Sequence, residues 1–586
     1  MLVVSAKPRL ESSSLETRAP TGLSSALFQA KAGILRSGRA CANLASGVRR
    51  LSLGPPAAFP YLVSQSRTSL WSDTRLAEHF MQAGKVQNLR VAARVLDRTV
   101  LDAGDVFSFW KQLGRPGRAR GFVPGRMLQQ GCMVRSTGGG LCQLSNALYD
   151  VALKARCEIV ERHAHSRMVP GSAASQGRDA TVAWNYVDLR FRSSRPLMLR
   201  VQLSADTLEV SLFATRAGEA RRDFDEGANE WQETSETCGT CNETSCFRHE
   251  GEAVDARGRT AYLVSEAWPE FAAYVAHEGR ADDMLCIPID GARFGLSRYC
   301  WHTAGFADIV TASTSVLRHS MAVRRMATQG RARRLAELQN AERIATRFAR
   351  RLTPEVTELC VAQSLLPFLW RDGHLGGRRF RVLMTSLPMG EIHRRLDAQA
   401  LRHPEQATLS DFRASAELVK LEAAALAAAG MIISPHAEIT QLFGARACRL
   451  AWQRPSRPAT ETMPGAQRRI AFPGPTVARK GCYEVREAAR KLDLEVVPLG
   501  SELEGANFWA GVRLAQANES DWLRDVQLVV QPAIVEQAPR RLLAAIAAGV
   551  PVIATAACGL DPQPGLTIVP AGDSEALTTA IDRLLD

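Results

Sequence analysis

The chain has no uninterrupted apolar run long enough to cross a bilayer. Its longest such stretches, Leu359 to Trp370 and Ala423 to Ile433, fall short of the roughly 20 residues that a membrane-spanning helix needs, so no transmembrane helix is expected. The first 50 residues are rich in Ser, Ala and Arg and lack the continuous apolar segment of a secretory signal. Residues 1–59 read as a basic, flexible leader, and the protein reads as cytoplasmic. A compact, even set of cysteines is also missing: 13 are spread over 586 residues, which argues against a secreted disulfide framework and for a reducing compartment. The formal charge is +13, but it is not gathered into a stripe of the kind that tracks nucleic acid. Its densest segment, Arg318 to Arg351, has the composition of a helix with arginines around an alanine and leucine stripe. That is a solvated helix face by default, with peripheral membrane contact as the lesser alternative and no nucleic-acid partner expected.

What is present can fill several cores. At 46% hydrophobic residues, a chain of this length accommodates about three or four domains. The richest local signal is the run Gly138-Gly139-Gly140-Leu141-Cys142-Gln143-Leu144-Ser145-Asn146-Ala147-Leu148-Tyr149, a glycine turn feeding an amphipathic helix. At 100° per residue, Leu144, Ala147, Leu148, Val151 and Ala152 form one apolar stripe, whereas Cys142, Ser145, Asn146 and Tyr149 project elsewhere. A helix start favours a thiolate, so Cys142 is a candidate nucleophile. Downstream, alternation puts His163 and His165 on one face of a strand, and Asp179 follows. Thiol, imidazole and carboxylate are what base-activated acyl transfer or hydrolysis requires. The competing reading is a structural cysteine and an ordinary His–carboxylate pair.

These residues belong to a wider set of matches. Val86-Gln87-Asn88-Leu89-Arg90-Val91-Ala92-Ala93, Gly104-Asp105-Val106-Phe107-Ser108-Phe109-Trp110, the Gly-Gly-Gly-Leu-Cys-Gln run, Arg162-His163-Ala164-His165-Ser166, Asp179-Ala180-Thr181-Val182 and Asp188-Leu189-Arg190-Phe191 together resemble the VanW family over roughly residues 60–215. The resemblance implies an α+β domain and a cell-envelope association, through the family's link to vancomycin-resistance clusters, but no established reaction. The helix-borne Cys with strand-borne His and Asp is also similar in architecture to transglutaminase and papain-like enzymes.

Residues 230–252 hold a cysteine-rich segment. Cys238, Cys241, Cys246 and His249 place four soft ligands within twelve residues, enough to enclose a structural zinc ion. An iron–sulfur cluster, a redox-active Cys-x-x-Cys pair and a metal-free loop are the alternatives.

From residue 258 onward, short apolar runs alternate with helical patterns, the signature of parallel α/β domains. Strands are expected at Ala261–Ser265, Met284–Ile289, Ala307–Ala312, Arg378–Thr385 and Met431–Ser434. A polar, proline-bearing linker follows at 453–467, and the alternation restarts at Arg469. The reading is two Rossmann-like halves, 258–452 and 468–586. Gln531 to Ala554 resembles the donor-binding segment of GT-B glycosyltransferases, with Glu536, a helix and Ala-Gly-Val-Pro-Val-Ile in order, and Arg479-Lys480-Gly481 resembles the family's Lys-Gly step. The resemblance implies a retaining transferase in which Lys480 meets the donor diphosphate and Glu536 the donor sugar, with a nucleotide-sugar and a glycan acceptor as partners. Two positions depart from the pattern. The second glutamate falls on Ala544, and the usual arginine five residues before the lysine falls on Pro475; neither can make the expected polar contact. The expected whole is a multidomain α/β protein that moves a sugar from a nucleotide-sugar to a cell-envelope or other glycan. The alternatives are a non-catalytic glycan-binding scaffold and a Cys142-dependent acyl-transfer or hydrolase domain.

Overall fold

A computed structural model describes residues 22–45, 47–71, 76–129, 132–164, 177–217, 258–455, 468–516 and 521–586. It divides into two compact units, one built mainly from residues up to Gly258 and the other mainly from Arg259 onward. Among the described residues no helix is long and apolar enough to cross a membrane.

The N-terminal unit mixes antiparallel sheet and helix, as expected of an α+β domain. Strands β1 (Tyr61–Ser69), β2 (Thr99–Leu101), β3 (Val106–Ser108), β4 (Pro124–Gln129), β5 (Cys132–Thr137), β6 (Glu158–Glu161), β7 (Arg190–Arg192), β8 (Leu197–Leu203) and β9 (Thr207–Ala214) make three sheets, ordered β1-β9-β8-β2, β3-β7-β6 and β4-β5. The helix Cys142–Lys154 starts where the glycine turn predicts. Its stripe of Leu144, Ala147, Leu148, Val151 and Ala152 is buried, in one core with Leu208, Val210 and Leu212 of β9. The helix Leu76–Leu96 is pinned on its other side by Asn88, whose Nδ2 donates to Val123 O (3.0 Å) and Gly139 O (2.9 Å) while Oδ1 accepts from Val123 N (2.9 Å). Close approach here depends on glycine. A Cβ on Gly84 would overlap Pro124 O, and one on Gly139 would overlap the Gly125 backbone.

Part of the supposed flexible leader is structured. Gly22–Ala45 forms a 24-residue helix, and Arg36 Nε donates to Trp184 O at 2.8 Å while Arg39 pairs with Glu161. Its Ser/Ala/Arg composition reads as low hydrophobicity, but alanine and arginine are also good helix formers.

The C-terminal unit holds two parallel sheets, as expected of two Rossmann-like halves. The first comprises β10 (Arg259–Leu263), β11 (Met284–Ile287), β12 (Asp308–Thr311), β13 (Val356–Ala362), β14 (Arg379–Leu383), β15 (Met431–Ser434) and β16 (Ala447–Arg449), in the order β12-β11-β10-β13-β14-β15-β16. The second comprises β17 (Arg469–Phe472), β18 (Glu495–Pro498), β19 (Arg513–Leu514), β20 (Leu528–Gln531), β21 (Val552–Ala554) and β22 (Leu566–Ile568), in the order β19-β18-β17-β20-β21-β22. Strand residues alternate between two cores. Ile470, Phe472, Val496, Leu528 and Val530 pack with the helices Cys482–Lys491 and Ser574–Leu585 on one face. Ala471, Val497, Val529 and Val552 pack with Leu542, Leu543 and Ala545 on the other. A sheet covered on both faces needs apolar residues at consecutive positions, which is why these strands read as short apolar runs.

The segment Arg318 to Arg351 is not one helix. It contributes to Ser313–Val323 and Arg331–Ala349, separated by a break ending at Gly330, whose φ of 108° lies outside helical space. Nor are all its arginines solvated: the Arg334 guanidinium lies 4.5 Å from the Phe412 ring centroid.

Asn88→Ala would strip three hydrogen bonds from the crossing of the helix Leu76–Leu96 with the glycine turn and leave buried backbone groups unpaired. The expected loss is about 2–4 kcal/mol, read as a lower urea midpoint for the N-terminal unit.

Candidate functional site

In the second parallel sheet the chain runs from β17 outward to β18 and β19, then returns to β20 on the other side of β17. Loops leaving the carboxyl ends of β17 and β20 therefore diverge and open a crevice, the place where ligands enter such sheets. Lys480 follows β17, in the turn Ala478–Lys480, and Glu536 follows β20. Gly481, at φ 82°, lets this turn press on the β20 loop, since a Cβ there would overlap Pro532 O. Ile534 N and Val535 N then donate to Arg479 O at 2.9 and 3.2 Å.

This geometry joins the two predicted donor-site residues. Lys480 Nζ is 2.5 Å from Glu536 Oε2, and both residues are buried. Gln531 Nε2 donates to the same oxygen, while Glu536 Oε1 accepts from Gln537 N (2.8 Å) and Ala538 N (3.0 Å). Burial alone would raise the Glu536 pKa, but the adjacent Lys480 ammonium and these N–H donors outweigh it and hold the carboxyl at about 2. The backbone donors just ahead of the helix Arg540–Ala547 thus face the protein's own carboxylate.

The first residue of that helix is engaged as well. Arg540 makes a bidentate pair with Glu270 (2.7 and 2.6 Å), and its guanidinium lies 5.1 and 5.2 Å from the ring centroids of Trp268 and Trp452. Glu270 begins the helix Pro269–Glu278 beyond β10, at the corresponding reversal of the first sheet, between β10 and β13. His436, fully buried, places Nε2 3.2 Å from both Glu536 O and Ala557 O. Beside Lys480, Arg479 donates to Gln329 Oε1 at 2.7 Å and stacks 4.8 Å from the Phe412 ring centroid. Arg333 and Arg334 line the same small cavity. Sequence motifs pointed to Lys480 and Glu536. Gln531, Arg540, Glu270 and His436 had no linear signal beyond Gln531 closing a strand.

In the N-terminal unit, Cys142 stands at its helix start, part-buried, with Sγ 3.6 Å from Thr181 Oγ1 and 3.9 Å from Val182 O. Ser145 and Asn146, expected to project away from the core, are buried too. Ser145 Oγ donates to Ala180 O, and Asn146 Oδ1 accepts from Ala180 N at 2.8 Å. A second layer of backbone covers the polar side of the helix and satisfies it. The exposed His163 ring meets Glu161 Oε1 at 3.2 Å. Asp179 is buried and its carbonyl accepts from Arg162 Nε at 2.7 Å. His165 and the proposed metal ligands Cys238, Cys241, Cys246 and His249 lie outside the described residues. Among the described residues no cluster of three or more His, Cys, Asp or Glu side chains is arranged to hold a metal ion.

Because Glu536 is held below its ordinary value of 4.5, at about 2, the stability it contributes is complete above about pH 4.5 and is lost as pH falls toward 2. Burial pulls the Lys480 amine the other way, lowering it, so the pair's net contribution is smaller than the Glu536 carboxyl taken alone would suggest. Glu536→Gln, which leaves the Lys480 ammonium buried without its counter-charge, should cost about 3–5 kcal/mol at neutral pH. It should also flatten the decline in urea midpoint between about pH 5 and pH 3.

Comparison with known proteins follows the same division. Residues 84–213 match the family described as VanW like protein, and residues 484–586 match that described as Glycosyl transferases group 1. The chain is 30% identical over 130 residues to the uncharacterized protein YoaR of Bacillus subtilis (strain 168), covering 22% of this chain and 42% of that one. It is 27% identical over 166 residues to the vancomycin B-type resistance protein VanW of Enterococcus faecalis (strain ATCC 700802 / V583), covering 28% and 60%. The chain thus spans about half the length of these curated relatives. Among solved structures, the sucrose-phosphate synthase of Thermosynechococcus elongatus is 16% identical with a TM-score of 0.37, covering 56% of this chain and 90% of that one. Anabaena Alr3699/HepE, solved in complex with UDP and glucose, is 11% identical with a TM-score of 0.35 and the same coverage. The two-sheet architecture is defined by its own strand order. The chain joins a VanW-like domain at residues 84–213 to a group 1 glycosyl transferase domain at residues 484–586.

Proposed function

We propose that the C-terminal unit binds a nucleotide-sugar in the crevice between β17 and β20 and transfers the sugar, with retention, to a cell-envelope or other glycan acceptor. The VanW-like domain recognises or modifies that acceptor. The observation that carries this reading is the placement of Lys480 and Glu536 at the two strand ends flanking the chain reversal, in contact with each other. A donor diphosphate entering there competes with Glu536 for the Lys480 ammonium. The carboxylate it releases becomes an acceptor for sugar hydroxyls. In transfer, the bond from the anomeric carbon to the phosphate oxygen breaks, the acceptor oxygen bonds that carbon and gives its proton to the leaving phosphate oxygen, and the nucleoside diphosphate leaves with the bonding electrons. Lys480 steadies the charge that develops on it.

Ala544 and Pro475 favour a second reading, a glycan-binding scaffold without transfer, because each removes a contact the donor would use. Titration of the full chain with a panel of nucleotide-sugars separates the two. The transferase reading expects binding of at least one donor, weakened about 10-fold or more by Lys480→Ala, the worth of one hydrogen bond to a charged group. It also expects Glu536→Gln to lower transfer more than nucleotide affinity. Binding without turnover on any glycan acceptor favours the scaffold, and absence of binding to every donor overturns the transferase.

A further inference from the structure

The helix Gly22–Ala45 reverses the usual polarity of an amphipathic helix. Ala32, Arg36, Arg39 and Asn43, at spacings of four, three and four residues, share one side, and that side is held to the N-terminal unit. Ala32 is buried, Arg36 Nε donates to Trp184 O at 2.8 Å, Arg39 pairs with Glu161, and Asn43 Oδ1 accepts from Arg190 Nη2 at 2.5 Å. The opposite side carries Leu27, Ile34 and Leu44, exposed by 64%, 75% and 89%. Full burial of such a side chain is worth about 1.5–3 kcal/mol. A helix that packs only against its own chain turns these residues inward, and this one turns them out.

The exposed side is spaced for another helix. Leu27, Ile34 and Cys41 recur every seven residues, and so do Ala30, Ser37 and Leu44; the two series interleave at three and four residues, as the a and d positions of a heptad seam do. Ser37 donates its hydroxyl to Gly33 O at 3.2 Å, so it brings no unmet donor to an apolar contact. Beside the seam, Gly38 has open space where a Cβ would stand. Glycine inside a helix costs about 1 kcal/mol relative to alanine, and the chain's own packing does not call for it here, whereas close approach of a second backbone does. A bilayer surface would need no glycine. It would favour exposed cations, but Arg36 and Arg39 are turned to the domain, and Lys31 is the one charged residue among the exposed described residues of this helix. The same scarcity of charge lets two identical faces meet without repulsion.

We propose that the outer face of the helix Gly22–Ala45 is a dimer interface whose occupant is the same face of a second copy of this chain. A surface that meets itself about a two-fold axis has only to be complementary to itself, and a nearly uncharged heptad seam is. Each copy covers the other's Leu27, Ile34 and Leu44, and Gly38 lets the two backbones come close. The polar side fastens the helix to Glu161 of β6, to Arg190 of β7 and to Trp184, so pairing couples the N-terminal units of two chains. The interface is independent of sugar transfer.

Sedimentation velocity of the reduced full-length protein over a wide concentration range tests it. The wild type should reach the mass of two chains as concentration rises. Ile34→Glu changes an exposed residue, so it should keep the circular dichroism of the dilute protein while weakening association at least about 100-fold, because pairing then buries an unpaired carboxylate. Gly38→Leu fills open space in the single chain. It should raise the melting temperature of the dilute protein and still weaken association, an opposition of sign that a fault in folding does not produce. A wild type that stays monomeric throughout overturns the proposal, as does a dimer that either substitution leaves intact. Monomers that cosediment with phosphatidylglycerol vesicles, and lose that binding in Ile34→Glu, assign the face to lipid and overturn it as well.

Discussion

The arrangement of the C-terminal unit turns on the carboxylate of Glu536. Through its two oxygens it ties the turn after β17, by Lys480, to the end of β20, by Gln531, and it orders its own loop by accepting from Gln537 and Ala538. Through its backbone carbonyl it receives His436 from the segment following β15, so the same residue also joins the two parallel sheets. An ionised group at this depth persists only because every lone-pair direction is met. The crevice owes its shape to that requirement: the loops lie where they do because the carboxylate needs donors from both.

The alternation of apolar runs with helices was readable because a sheet covered on both faces demands it. Ile470 and Phe472 face one core and Ala471 the other, so no polar residue interrupts the strand. β13 was hidden because only the turn Gln363–Leu365 separates its apolar end from the helix Leu366–Arg371. The edge strands β16 and β19 escaped notice because they are three and two residues long and carry arginine. Helical periodicity placed the stripe of Cys142–Lys154 correctly but could not say what lies over the opposite side. The backbone of Ala180, which covers Ser145 and Asn146, comes from a segment 34 or 35 residues away.

Candidate chemistry was legible only where it was linear. Lys480 and Glu536 stand in motifs with fixed spacing, and the structure brings them into contact. Arg540 and Glu270 are 270 residues apart in the chain, and nothing in either local sequence announces the other. Lys85 illustrates a different blindness. In sequence it is one lysine beside a glycine on an amphipathic helix. Its burial emerges only when Gly140 has been folded against its stem.

Two ion pairs of the C-terminal unit, Lys480–Glu536 and Arg540–Glu270, differ in what surrounds them. Lys480 and Glu536 sit among further hydrogen-bond donors, Gln531 Nε2 and the Gln537 and Ala538 N–H groups. Arg540 and Glu270 sit against Trp268 and Trp452, where the aromatic faces admit no substitute. That enclosure limits how the sequence can drift. A change at Glu270 alone leaves the part-exposed Arg540 guanidinium on two indoles without its counter-charge, and a change at Arg540 alone leaves the buried Glu270 carboxylate with the Gln453 N–H but no cation, so a single change at either position is costly. The seam between the two Rossmann-like sheets is therefore inherited as a pair, and two halves taken from different ancestors would fit only if both brought the matching partner.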